Sequence, residues 1–376
     1  MLNPPCNRQG RIHVKTWVAA TSSAAALRLA VSEDTRLKLT HRTLFGCLGS
    51  RIGSPPVNAY LLMLCSEGAS FQVFLCYPTI DLDANLDNMT KPFLKWAGGK
   101  RGLLGEIQAT LPPDFANRPR TYVEPFVGGG AVLFWILSSY PSIERAIIGD
   151  INLHLIGAWR AVQRDCDMLI AHLSQLEREY LPLDANRRTS YYLRQRERFN
   201  TLPIGGALSA ALLLFLNRTC FNGLYRVNTK GVFNVAHGRY TNPHILDEGN
   251  LRAASNLLQR VDIQGGDFEQ TMRHASPDAF YYLDPPYKPV STSASFNAYA
   301  AGGFDDGEQE RLADFCRRLD KAGALFIASN SNPGGDFFDR IYTGFATRRV
   351  QAKRAINSVG SNRGSVSEIM VTNILN

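Results

Sequence analysis

TYVEPFVGGGAVLFWILSSYPSIERAIIGD, residues 121–150, is the stretch that decides the fold. It reads as a strand (TYVEPF), a glycine loop (VGGGA), a helix (VLFWILSSY) and a second strand (ERAIIGD), and a second helix, NLHLIGAWRAVQ, follows. Strand, tight turn, helix and strand again is the unit from which parallel α/β sheets are built. Strand-like text resumes much later, in VDIQGGDF (261–268), AFYYLDPPY (279–287), ALFIASNS (324–331) and the pair AKRAI (352–356) and SEIMVTNIL (367–375). Between the two blocks, from about 164 to 258, the chain is polar and helical, with the apolar run 207–216 reading as a buried helix. LYRV (224–227) and VFNV (232–235) flank a turn at 228–231 and predict a hairpin. The expectation is one α/β domain interrupted by an insertion over 161–258, with 89–160 and 259–376 forming the sheet.

Composition excludes several classes. No apolar run is long enough for a membrane-spanning helix. The seven cysteines form neither a CxxC pair nor a Cys/His cluster at zinc spacing, so neither a structural metal nor a disulfide framework is expected, and free thiols in a reducing compartment are the default. The net charge of +8 is mild and compatible with a polyanionic partner, without identifying one. Residues 1–88 hold four of the seven cysteines, scattered Ala and Ser, and no sustained period; they fit a secretory signal poorly. They are expected to be a disordered extension or a mis-called start ahead of Met89.

The loop Phe126, Val127, Gly128, Gly129, Gly130 ends a strand and opens a helix, where backbone can approach a ligand closely. A dinucleotide fingerprint would need glycine at 133, where Leu133 stands, and a phosphate loop would need Ser or Thr after Lys100, where Arg101 stands. Asp150 closes the next strand, where an acidic side chain accepts hydrogen bonds from ribose hydroxyls; the same residue also suits a helix cap. Asp284, Pro285, Pro286 and Tyr287 follow a strongly apolar strand, at the carboxyl edge where open α/β sheets bind ligands. Acceptors held between prolines suit an exocyclic amino group, and Tyr287 offers a stacking face. The plainer alternative is a turn that ends the sheet, with Tyr287 in the core.

Taken together, KPFLKWAGGK, EPFVGGGAV, GDINLHLI, NRTCFNGLYRVNTKGVFNV with GRY, and DPPY resemble, in order, the motifs of the Dam-type (D12 class) DNA adenine N6-methyltransferases, over residues 89–376. The resemblance implies a Rossmann-like S-adenosylmethionine-dependent methyltransferase sheet with an inserted helical and β-hairpin target-recognition domain. It implies cofactor contacts at Trp96, Lys100, Phe126, Gly128, Gly130, Asp150, Asp267, Phe268 and Asp284, and a catalytic Asp284-Pro285-Pro286-Tyr287. A base buried in duplex DNA must be flipped out for this chemistry. Asp284 and the Pro285 carbonyl would then accept hydrogen bonds from N6 of the adenine, in direct transfer without a cysteine nucleophile.

In the insertion, Arg218, Arg226, Lys230 and Arg239 alternate with Phe221, Tyr225, Phe233 and Tyr240, a mixture suited to phosphates and bases, although a solvated basic hairpin reads equally well from spacing alone. The resemblance assigns Arg226 to a guanine, Leu224 beside it, and Phe221 and Asn222 to the DNA, with Arg218, Arg239 and Tyr240 as further DNA-binding candidates; GATC is the implied site. Phe221 stands where the family often has tyrosine and Ala236 where many relatives have proline. The implied setting is a cytoplasmic monomer on double-stranded DNA, with no membrane and no metal, acting alone or protecting DNA from a cognate restriction endonuclease. The competing readings are a methyltransferase of RNA or of protein amide nitrogen, a DNA-binding protein with a decayed cofactor site, and a nicotinamide dehydrogenase.

Overall fold

The computed structural model describes residues 51–52, 59–65, 71–76, 89–288, 304–353 and 365–374, divided between two compact units, 1–76 and 77–376. In the first unit a three-stranded antiparallel sheet runs β1 (Arg51–Ile52), β2 (Ala59–Cys65), β3 (Phe71–Cys76), with Leu61 opposite Leu75 and Met63 opposite Val73. Sequence periodicity announces none of these strands, because AYLLMLC is a continuous apolar run and FQVFLC is broken only once, by Gln72, so neither alternates. The remainder of the expected extension lies outside the described residues.

The second unit is built on a seven-stranded sheet of β4 (Thr121–Glu124), β5 (Arg145–Asp150), β6 (Val261–Gly265), β7 (Ala279–Leu283), β8 (Leu325–Ser331), β9 (Ala346–Lys353) and β10 (Ser365–Thr372), in the order β6-β5-β4-β7-β8-β10-β9. β4 to β8 are parallel and β10 is antiparallel to both β8 and β9. Strand order reverses at β4, so β4 and β7 flank the switch point, where the carboxyl ends of neighbouring strands open a crevice. This is the Rossmann-like methyltransferase sheet expected from the motifs. The last pair is longer than AKRAI suggests on its amino-terminal side, and residues 354–356 lie outside the described residues. All five residues of β7 are buried, as a central parallel strand covered on both faces requires.

Helices α1 (Leu104–Thr110), α2 (Ala131–Ser139) and α3 (Leu153–Arg164) belong to the sheet's first half. The insertion adds α4 (Cys166–Tyr180), α5 (Ala185–Thr201), α6 (Ala207–Thr219) and α7 (Glu248–Leu258), and after the sheet resumes come α8 (Asp306–Lys321) and α9 (Phe337–Ile341). α3 runs unbroken to Arg164, across the boundary expected at 161. α6, apolar nearly all round, is the buried helix expected over 207–216 and packs against α3, α4 and α5. The hairpin turns at 228–231, where the Gly231 N–H donates to the Asn228 carbonyl at 2.9 Å and Asn228 Oδ1 accepts from Lys230 and Val232. Its arms are joined by single bridges, Val227 to Phe233 and Cys220 to His237. Cys166, Cys220 and Cys316 are free thiols, and no metal-binding group of His, Cys, Asp or Glu occurs among the described residues.

Asn217, 2% exposed on α6, ties the insertion to the domain's first segment. Its side chain accepts from Lys95 N and donates to Lys95 O and Gly223 O, each at 2.8 Å. Asn217→Ala strands three backbone groups and is expected to cost about 2–4 kcal/mol. Urea unfolding checks this; an unchanged midpoint contradicts it.

Candidate active site

Asp284 is the first residue beyond β7, and its side chain is 16% exposed. Burial pushes its carboxyl up to about 6; the Lys100 ammonium opposes that rise and the charge of Glu368 adds to it. Lys100, buried in the turn that opens α1, reaches Asp284 Oδ1 at 2.9 Å while donating to the Gly98 carbonyl at 2.8 Å. The contact with Oδ1 is a charge-assisted one that favours the carboxylate form. Below them Glu124, 3% exposed, accepts from the Tyr122 hydroxyl at 2.8 Å and is raised well above the usual carboxylate range, chiefly by burial.

The backbone after Asp284 is held from two other elements, α8 and β8. Gln309 on α8 donates to the Pro286 carbonyl at 3.2 Å and accepts from Asn330 at 2.9 Å. Asn330 Oδ1 accepts the Lys288 N–H at 3.2 Å, and Ser331 Oγ donates to the Lys288 carbonyl at 2.6 Å. The Tyr287 hydroxyl donates to Glu368 on β10, and the Lys100 ammonium lies 4.4 Å from the centre of its ring. These partners satisfy the polar groups of a turn that lies below the surface. Motif reading missed Glu124, Gln309, Asn330, Ser331 and Glu368; the signal available was polar residues inside the apolar text of ALFIASNS and SEIMVT.

Beside this lies the glycine loop. Gly128 has φ +47°, and a Cβ there would sit 2.8 Å from Cδ1 of Trp96; Gly130 has φ +73°, and its Cβ would meet Trp159 Cη2 at 2.5 Å. Both positions therefore require glycine for conformation and for space. Asp150 Oδ2 accepts from Gly128 N at 3.2 Å and Oδ1 from Asn152 N at 2.9 Å, and burial pushes this carboxyl up to about 6. The cap of α3 is Asn152, which accepts from His154 N and Leu155 N, so the capping alternative for Asp150 is removed. Trp96 stacks on Tyr225, ring centres 5.4 Å apart. A recess between the ends of β5 and β6 is lined by Pro125, Gly149, Gly265, Asp267 and Phe268. Asp267 caps the turn it begins, accepting from Glu269 N at 2.9 Å, and pairs with Arg311; Phe268 is 3% exposed, packed on Phe126 and Phe315.

The insertion distributes its candidates unevenly. Arg226 is exposed and only its Nε is engaged among the described residues, with Asn234 Oδ1 at 2.9 Å. Phe221 is 49% exposed, and Leu224 is half-buried against the core. Asn222 has φ 55° and donates its N–H to the Tyr240 hydroxyl at 3.0 Å; Arg239, exposed, has φ 54°. Arg218 spends a donor on the Phe93 carbonyl at 3.0 Å. Tyr225 and Phe233 correct the sequence reading of an aromatic surface. Both are buried, Tyr225 against Trp96 and Phe233 against Phe199 on α5, because the inward face of each hairpin arm must cover the helices.

Residues 96–356 match the family described as D12 class N6 adenine-specific DNA methyltransferase. The chain is 46% identical over 287 residues to the Type II methyltransferase M.MjaIII of Methanocaldococcus jannaschii, covering 75% of this chain and 99% of that protein. It is 35% identical to a DNA adenine methylase of Vibrio cholerae, covering 74% and 95%, and 36% identical to one of Haemophilus influenzae, covering 74% and 92%. The chain belongs to the D12 class of adenine-specific DNA methyltransferases.

Gly128→Ala is expected to weaken S-adenosylmethionine binding by about tenfold or more, since the added methyl forces Trp96 aside and the backbone prefers another conformation. Calorimetric titration checks this; wild-type affinity in the variant contradicts it.

Proposed function

We propose that the protein transfers the methyl group of S-adenosylmethionine to N6 of adenine in duplex DNA, within GATC, at the Asp284-Pro285-Pro286-Tyr287 edge after flipping the base. The observation that carries this reading is the buried Asp284 carboxylate at the end of β7, paired with Lys100, whose ammonium also lies over the ring of Tyr287. The residues present fit the cofactor: Gly128 and Gly130 give the loop left-handed turns packed so closely on Trp96 and Trp159 that no side chain is admitted, and Asp150 ends β5 with its carboxylate against the loop. Trp96, Lys100, Phe126, Gly128, Gly130, Asp150, Asp267 and Phe268 would hold it, Phe268 through packing that supports Phe126 and the recess. When bound, it supplies an electrophilic methyl group.

The protein's part is to make a poor nucleophile competent. The N6 lone pair of adenine is delocalised into the ring. Asp284 as carboxylate accepts one N6 hydrogen and the Pro285 carbonyl the other, which draws the nitrogen toward tetrahedral geometry and leaves its lone pair for attack. Tyr287 provides the face on which the base stacks, a contact worth about 1–3 kcal/mol in comparable complexes. The buried setting strengthens each of these contacts, and positioning supplies much of the acceleration. Among the described residues no cysteine lies in this site, as direct transfer allows.

The insertion, 161–258, acts in this reading as the target-recognition domain. An exposed Arg226 whose Nε is anchored to Asn234 can present its terminal amino groups to O6 and N7 of a guanine. Leu224, Asn222 and Phe221 lie along the same turn, with Arg239 and Tyr240 in the returning arm and Arg218 at its base. A monomer methylating each strand in turn, alone or beside a cognate restriction endonuclease, accords with this reading. Residues 1–88 act in it as an extension outside the catalytic part.

Asp284→Ala is expected to abolish methylation while cofactor affinity falls far less; normal turnover in the variant removes Asp284 from the reaction. Because the carboxylate form is the acceptor, and its acid is raised to about 6, kcat/KM of the wild type should fall as pH drops through about 6. A profile flat down to pH 4.5 contradicts that. Arg226→Ala should cost about 1–3 kcal/mol of discrimination at the guanine, roughly ten- to hundredfold, measured over duplexes substituted at that position. Unchanged selectivity contradicts the guanine assignment.

A further inference from the structure

We infer that Glu368, on the antiparallel strand β10, is the positioning residue that fixes the plane of Tyr287 for stacking on the target base. The inference rests on the reading of Asp284-Pro285-Pro286-Tyr287 as the reaction site.

Tyr287 is held through both its backbone and its hydroxyl. Its backbone is constrained on both sides: Pro286 precedes it with a fixed φ, and Lys288 follows with its N–H on Asn330 and its carbonyl on Ser331. A tyrosine ring on a fixed backbone still turns about two side-chain bonds. The hydrogen bond from its hydroxyl to Glu368 removes that freedom at the far end of the ring. Glu368 is itself placed rigidly. It stands opposite Ser331 in the β8–β10 pairing, and Asn332 locks the same point by donating its N–H to the Ser367 carbonyl at 3.1 Å and its side-chain amide to Ser367 Oγ at 2.9 Å. One short segment thus clamps both the backbone after Tyr287 and the tip of its ring. A stacking wall set in advance loses no conformational entropy when the base arrives, and small errors in such placement reduce turnover steeply.

The same carboxylate affects Asp284. The groups facing Asp284 are Lys100 from the turn before α1, Glu124 and Tyr122 from β4, Tyr282 from β7, Tyr287, and Glu368 from β10. Glu368 raises the Asp284 acid through like charge. Removing that charge should therefore lower it and shift the acid limb of kcat/KM to lower pH. A residue that merely supports the fold would not move that limb.

The test is steady-state kinetics of the full chain on an unmethylated duplex, with wild type, Glu368→Leu, Glu368→Gln, Tyr287→Phe and the double variant Tyr287→Phe/Glu368→Leu. Glu368→Leu and Tyr287→Phe should each lower kcat about tenfold, the size of one lost hydrogen bond, with cofactor affinity held within about twofold. The double variant should lose no more than either single one, because both changes break the same contact. Glu368→Gln, whose amide oxygen still accepts the hydroxyl, should keep most of kcat and display the downward shift of the acid limb. Losses that multiply in the double variant, full kcat in Tyr287→Phe, or an unmoved limb in Glu368→Gln each overturn the assignment. Tyr287→Phe retains the ring and carries the test even where Glu368→Leu does not fold. Methylation that persists in Asp284→Ala sinks the underlying site reading instead, so the two failures are distinguishable.

Discussion

The ion pair between Lys100 and Asp284 is the constraint on which the rest of the second unit turns. It joins the segment that leads into the sheet to the edge of the strand at the sheet's centre, at 2.9 Å and with both side chains largely buried. Removing two charges from water costs several kcal/mol each, and such a pair returns little net stability. A pair of that kind is weak as a fastener but strong as chemistry: burial pushes the Asp284 acid up to about 6, and Lys100 opposes that rise and so favours the carboxylate in an apolar setting. Glu124 below it and Glu368 beside it set the charge balance.

The same segment that delivers Lys100 also couples the two halves of the site. Trp96 fills the space that Gly128 leaves and stacks on Tyr225, while Asn217 holds the backbone of Lys95 against Gly223. Leu224 and Arg226 flank Tyr225, so the stretch proposed to read DNA is packed directly on the wall of the proposed cofactor cradle. The insertion is therefore not a separate module hung on a sheet. Its buried helix α6 and the unbroken α3 give it a common core with the catalytic part.

Legibility in the sequence followed the range of the interactions. The 121–150 text shows strand, turn and helix within thirty residues because each depends on neighbours along the chain, and the observed elements agree with it to within one or two residues. Asp284 was legible as an edge residue, since five consecutive buried positions precede it. Glu368, Gln309 and Asn330 were not, because a polar residue gives no hint of a partner that lies 81, 23 or 42 residues away, respectively. The inward turn of Tyr225 and Phe233 was hidden for the same reason: hairpin alternation fixes two faces, but only the helices packed behind decide which one is wet. The strands over 59–65 and 71–76 escaped because a run that is apolar almost throughout carries no period.

The central claim is transfer of a methyl group to N6 of adenine at a defined duplex site. Incubation of the purified protein with labelled S-adenosylmethionine and duplexes that differ only at the G, A, T or C of GATC, followed by nucleoside analysis, tests it most directly. Label is expected in N6-methyladenine from the intact GATC duplex alone. Label in another nucleoside, or equal label in N6-methyladenine from every duplex, would contradict it.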